Sequence, residues 1–203
     1  MIFKFFANVN DLFFKNYINL LKNDFLKTLL KEYRPFFLFL GKFFVSYLML
    51  TILYRLYLSG FVNQVDGFTE NVSYTTGKIL VFLGQRVQIV EDALNEQYQL
   101  YFNGKYLARI IEGCNAISVI ILFESFVIAF STSFKKTFMF LWFGSVLIYV
   151  VNILRIVLLT ILYDLYPEYE HFLHSVLFPF IIYGIVCLLW LYWIKKYAKY
   201  ISK

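Results

Sequence analysis

Four long apolar stretches dominate this chain of 203 residues: 36–61, 111–130, 137–163 and 172–194. A helix that crosses a bilayer needs about 20 mostly apolar residues. Inside lipid, every backbone N–H and C=O must also be satisfied within the segment or a closed barrel. Stretches of this length therefore predict helices in a membrane. What remains could not clothe a soluble domain: 61% of the residues are hydrophobic and only 16% are charged, where soluble domains are roughly half apolar and about a quarter charged. The fold expected is an all-α polytopic membrane protein, a bundle of at least four transmembrane helices. Its first partner is membrane lipid, and no nucleic-acid partner is expected.

The segments outside these stretches refine the picture. In residues 1–33, Leu12, Phe13, Tyr17, Leu20, Leu21, Phe25, Leu29 and Leu30 recur at helical spacing, with Lys15, Lys22, Lys27 and Lys31 largely between them. That pattern predicts a basic amphipathic helix lying at a membrane interface. Arg34–Pro35 breaks it, so residues 34–203 are read as a separate membrane domain. The opening lacks the apolar core and small-residue exit of a cleaved signal, and the first span is expected to act as a signal anchor. Residues 62–109 are the one long region that is not strongly apolar. Within it, residues 86–90 and 97–102 alternate, Asn103–Gly104 signals a tight turn, and residues 106–110 would return. A small extracytoplasmic β-hairpin is thus expected to lead into Cys114.

Charge sets the orientation. Lys and Arg gather on cytoplasmic loops; there are six in residues 1–41, two at Lys135–Lys136 and four from Lys195 onward, and none in the acidic loop 164–170. Four spans then place both termini inside, with the hairpin and the acidic loop outside.

Three residues stand out against the apolar background. Cys114 follows Glu112 and Gly113 and precedes Asn115, at the start of its segment, where unpaired N–H groups favour a thiolate. Arg155 lies within the third stretch, where arginine costs about 2.5–3.5 kcal/mol on insertion scales and marks function more often than structure. Asn152 lies three residues before it, on the same helix face. His171 and His174 share a face at the start of the last stretch, and spacing alone does not choose between them. A thiol, an imidazole and a guanidinium on one membrane face are the parts of a cysteine acyl-transfer site: nucleophile, proton shuttle and fixed charge for an oxyanion. The competing reading pairs Arg155 with Glu124 as a buried ion pair. Cys187 has no polar neighbours and reads as a small hydrophobe. Both cysteines should be free thiols. No metal-ligand spacing and no phosphate loop is present, so no cofactor is expected.

The ordered blocks Glu112-Gly-Cys114-Asn-Ala, Asn152-Ile-Leu-Arg155-Ile and His174 with Phe178-Pro-Phe-Ile-Ile-Tyr-Gly184 resemble the exosortase/archaeosortase family, most closely its exosortase F-type members. The resemblance implies a membrane cysteine transpeptidase or protease of the bacterial inner membrane, with its active site facing the periplasm. It implies Cys114 as the nucleophile, Arg155 as the arginine and His174 as the histidine of the site, with His171 leaving the histidine assignment open; Glu112, Asn115 and Asn152, read from their positions, are expected in support. The implied partners are exported proteins whose carboxyl-terminal sorting signal combines a short motif, a transmembrane helix and a basic cluster. The alternative is a non-enzymatic membrane subunit of a secretion or polysaccharide-export assembly.

Overall fold

The structure is a computed structural model describing residues 28, 29, 31–131 and 133–197. The interfacial helix expected over residues 1–33 lies almost entirely outside the described residues. The chain divides into two compact units, Met1–Lys42 and Phe43–Lys203, and the site lies in the second.

Among the described residues, helix α1 (Arg34–Leu58) is followed by α2 (Gly67–Phe82), then strands β1 (Val87–Asp92), β2 (Gln97–Phe102) and β3 (Lys105–Ile110). A 3-10 turn (Glu112–Cys114) leads into α3 (Ile117–Ala129), which is followed by α4 (Phe134–Leu165). A 3-10 turn (Pro167–Tyr169), one α-helical turn (Glu170–Phe172) and a π-helical turn (Leu173–Leu177) then precede α5 (Phe178–Tyr197). Among the described residues, three helical segments are long and apolar enough to cross a membrane: Arg34–Leu58, Phe134–Leu165 and Pro167–Lys196. The fourth expected span is the shorter α3, whose 13 residues extend about 20 Å at the helical rise, short of a hydrocarbon core of about 30 Å.

The hairpin is part of a larger element. β2 and β3 pair across Asn103–Gly104 as the alternation predicts, but β1 adds on the other side to give an antiparallel three-stranded sheet in the order β1–β2–β3. Asp92 closes the β1–β2 connection by accepting from the side chains of Asn95, Gln97 and Gln99. Those donors, Asn95 first, hold its carboxyl below the usual carboxylate range. The sheet packs on α2 and on the distal part of α4, through a core of Val72, Leu80, Leu100, Ile110, Ile153 and Val157.

Helix α2 has no counterpart in the sequence reading. Asp66 caps it by accepting from the N–H groups of Phe68 and Thr69 at 3.0 and 3.1 Å, and Glu70 sits in its first turn, where the dipole favours an acid. Its buried stripe is Thr69, Val72, Ser73, Thr76, Gly77 and Leu80. The spacing is helical, but half of these residues are hydroxylic, so a hydrophobic period does not reveal it.

Helices α3, α4 and α5 pack around a second core containing Phe123, Val127, Ile148, Val186 and Trp193. Helices α3 and α4 approach closely where Gly144 faces the ring of Phe123. A Cβ at Gly144 would lie 2.2 Å from the ring's Cζ. Small residues are what allow backbones in a membrane bundle to approach this closely. Phe123 is fully buried, so the ring has no free space to retreat into. Gly144→Ala should therefore destabilise the protein by about 1–3 kcal/mol, as overpacking does. Thermal unfolding of the detergent-solubilised protein checks this, and adding Phe123→Leu should restore much of the loss.

Candidate active site

Local chemistry shapes the turn that carries Cys114. Its N–H donates to the carbonyl of Ile111 at 2.8 Å, closing the 3-10 turn directly after β3. Asn115 comes next and is 1% exposed. Its Oδ1 accepts from the N–H of Ile117 at 3.0 Å, satisfying one orphan donor at the start of α3. Its Nδ2 donates to the hydroxyl of Tyr54 at 2.8 Å and to Oγ1 of Thr69 at 3.2 Å. Thr69 in turn donates to the Asp66 carboxylate. This buried chain of polar groups ties the turn to α1 and α2. It also holds Ala116 in the left-handed region, at φ +67, a conformation that is unfavourable for a residue with a Cβ. Cys114 thus sits two residues ahead of the α3 N-cap, not within the helix's first turn.

Helix α4 supplies the opposite wall. Asn152, Arg155, Ile156, Leu159, Thr160 and Tyr163 follow the three- and four-residue spacing of a single helix face. Asn152, 1% exposed, donates through Nδ2 to the carbonyl of Cys114 at 2.7 Å. Arg155 lies about one turn beyond. Its Nε is buried and has no hydrogen-bond partner among the described residues. The ion pair with Glu124 does not form: Glu124 accepts from Oγ of Ser145 at 2.8 Å instead, and the described residues give Arg155 no carboxylate partner.

The third wall is the π-helical turn Leu173–Leu177. Pro179 explains its place. Proline offers no N–H to the carbonyl four residues earlier, that of Ser175, and its ring crowds that carbonyl. A wider turn just ahead of the proline absorbs both effects, and such single π turns recur at functional sites. His174 lies in this turn, exposed at the cavity's mouth.

The three sequence-predicted residues share one cavity. One cavity of about 50 Å³ is lined by Cys114, Arg155 and His174, together with Leu100, Ala108, Arg109, Ile110, Ile156, Leu159, Thr160 and Tyr163. His171 is exposed and lies outside this lining, so geometry separates the two histidines where spacing does not. Asn115 and Asn152 stand directly behind Cys114. Glu112 is exposed and is not among the residues that line the cavity. Both cysteines are free, with Cys187 exposed on α5, away from the cavity. No group of three or more His, Cys, Asp or Glu side chains poised for a metal occurs among the described residues.

Sequence reasoning missed several contributors. Thr160 and Tyr163 were available from their helical spacing to Asn152 and Ile156. Tyr54, Thr69 and Asp66 carry no motif, and only the packing of α1 and α2 brings them to Asn115.

A transmembrane exosortase family model (Exosortase_EpsH) matches residues 29–194. The match spans most of the chain, which therefore belongs to the transmembrane exosortase family. No curated protein and no solved structure matches.

Asn115→Ala would leave the N–H of Ile117 and the Tyr54 hydroxyl without their partner. The expected loss is about 1–3 kcal/mol of stability, the cost of orphaned buried groups. Cys114, freed from its tether, should also change its rate of alkylation by a maleimide. Thermal melts together with alkylation timed by mass spectrometry, in a Cys187→Ser background, read the two effects separately.

Proposed function

We propose that this exosortase is a cysteine transpeptidase or protease that cleaves carboxyl-terminal sorting signals of exported proteins, with Cys114 as nucleophile, His174 as acid and base, and Arg155 as oxyanion stabiliser. The observation that carries the reading is the convergence of these three side chains, from three separate elements, on one cavity. The family match supports the reaction class. The blocks around Cys114, Arg155 and His174 resemble F-type members in particular.

The chemistry follows from what each group can do. A ring nitrogen of His174 takes the thiol proton of Cys114, and the thiolate attacks the carbonyl carbon of the scissile peptide bond. The carbonyl oxygen becomes an oxyanion. Arg155 cannot give up its proton in this range, so it serves as a fixed positive charge and donor for that oxygen. The C–N bond then breaks, and His174 returns the proton to the departing amine. The carboxyl-terminal fragment leaves with a new amino terminus, and the upstream chain remains as a thioester on Cys114. Water or an amine then attacks the thioester through the same histidine.

Topology fits this use. The basic residues at Lys135–Lys136 and Lys195–Lys196 favour the cytoplasmic side for the α3–α4 turn and the end of α5. The sheet, the acidic loop and the cavity then face the periplasm of a bacterial inner membrane. An anchored substrate would present its cleavage site at that level.

The test is a processing assay in cells, with a candidate substrate from the same genome that ends in a short motif, an apolar span and a basic cluster. Cys114→Ala should abolish processing. His174→Gln should slow it about 10²–10⁴-fold, Arg155→Gln about 10²–10³-fold, and His171→Gln should have little effect. Mass spectrometry of the wild-type protein should find a thioester at Cys114. Full processing by Cys114→Ala would sink the proposal and leave the non-enzymatic subunit as the better reading.

A further inference from the structure

The cavity around Cys114 is small. At about 50 Å³ it holds a few water molecules, each needing roughly 10–15 Å³ in this measure. A peptide cleaved there can bring in only its reacting carbonyl and a small side chain. The rest of the bound chain must lie outside it; on the sheet side the wall is Leu100 of β2 with Ala108, Arg109 and Ile110 of β3, and of these Arg109 is exposed.

β3 is an edge strand. The sheet order is β1–β2–β3, and among the described residues β2 is the one strand that pairs with β3. An edge strand directs part of its N–H and C=O groups outward without a strand partner. It ends at Ile110, and the chain reaches Cys114 through a single 3-10 turn. Leu107 of the same strand packs among Leu159, Tyr163, Leu173 and Phe178, which anchors β3 to the helices that carry the other two walls. The opposite edge, β1, has no residue in the cavity lining.

We infer that the substrate chain next to the scissile bond binds as an added strand on the free edge of β3, which delivers its carbonyl to Cys114. The inference rests on the catalytic reading above and specifies how that site recognises its substrate. Strand addition takes its affinity from main-chain hydrogen bonds and its selectivity from alternate side chains. Lys105 and Arg109 are exposed on this edge. Charges of one sign guard an edge against pairing with its own copies, and these two favour a peptide with acidic side chains at matching positions. An extended, acidic-to-neutral segment is the chemistry that fits.

The decisive experiment uses full-length Cys114→Ala protein in nanodiscs, with Cys114→Ser as a second inactive variant should the first fold poorly. The probe is a fluorescent synthetic peptide spanning the cleavage site that the processing assay maps. Single backbone N-methyl groups are walked along it. If the peptide adds as a strand, N-methylation at alternate residues weakens binding by about three- to tenfold each, the worth of one hydrogen bond, and residues between them are tolerant. Hydrogen exchange of residues 105–110 should slow on binding, while that of β1 should not. Binding with no alternation in the N-methyl series and no change in β3 exchange would overturn strand addition, and leave the cysteine chemistry standing. Absence of any cleavage by the wild-type protein would instead remove the catalytic reading and this one with it.

Discussion

The hydrogen bond from Asn152 to the carbonyl of Cys114, 2.7 Å long, is the contact on which the site's assembly depends. It joins the long membrane helix α4 to the turn between β3 and α3. Without it, a carbonyl near the cavity floor would lose its partner, and an unsatisfied buried group costs about 1–3 kcal/mol. The bond also sets the rotation of α4. Once Asn152 faces Cys114, the helical period sends Arg155, Leu159 and Tyr163 toward the same cavity. A rotation by one residue, about 100°, would turn Leu154 and Leu158 inward, and both are exposed on the outer face of α4. That contact acts with the buried stripe Ile148, Ile153, Ile156 and Val157 to fix which residues of a 32-residue helix line the site.

The parts of the fold that depend on strong local signals were legible from sequence. The long apolar helices follow from length and hydropathy, and the β2–β3 hairpin follows from alternation around Asn103–Gly104. Cys114, Arg155 and Asn152 were legible because polar groups in apolar segments need a reason. Helix α2 was hidden, since it buries Thr69, Ser73 and Thr76 and polar burial leaves no hydrophobic period. The chain from Asp66 through Thr69 and Asn115 to Tyr54 was hidden for a different reason. Its members lie up to 61 residues apart, and only tertiary packing pairs them. His174 could not be separated from His171 by spacing; His174 lies in the π turn and lines the cavity, and His171 lies in the turn before it. Pro179 signalled a local disturbance there but not which histidine it would favour.

The structure also changes the physical account of Arg155. Read from sequence, it is a guanidinium within an apolar span, to be relieved by snorkelling or by pairing with Glu124. α4, however, is 32 residues long, about 48 Å at the helical rise, well beyond a hydrocarbon core of about 30 Å. Its distal part, with Ile153, Ile156 and Val157, packs in one core with Leu100, Ile110 and Tyr98 of the sheet. Arg155 therefore sits where the helix leaves its purely helical neighbours and is flanked by sheet and turn. The cost of its charge is met by a protein-lined cavity, the setting in which charged residues of membrane proteins are normally found.

That setting leaves one nitrogen of Arg155 buried without a partner, and Glu124 turned toward Ser145. A guanidinium kept for structure alone gains by pairing with the nearest available carboxylate, because an unpaired buried donor is a standing cost. A guanidinium kept for catalysis gains by the opposite arrangement. A carboxylate partner would neutralise it and compete with the oxyanion it is meant to meet, whereas an open donor in an apolar-walled cavity interacts strongly with charge that appears only during the reaction. Leu100, Ala108, Ile110, Ile156 and Leu159 supply those apolar walls. In the proposed reaction, the cost of a guanidinium without a carboxylate partner is offset when the carbonyl oxygen of the substrate becomes negative. Among the described residues Arg155 makes no ion pair, and in the proposed reading that favours acyl transfer over a purely structural role for this arginine.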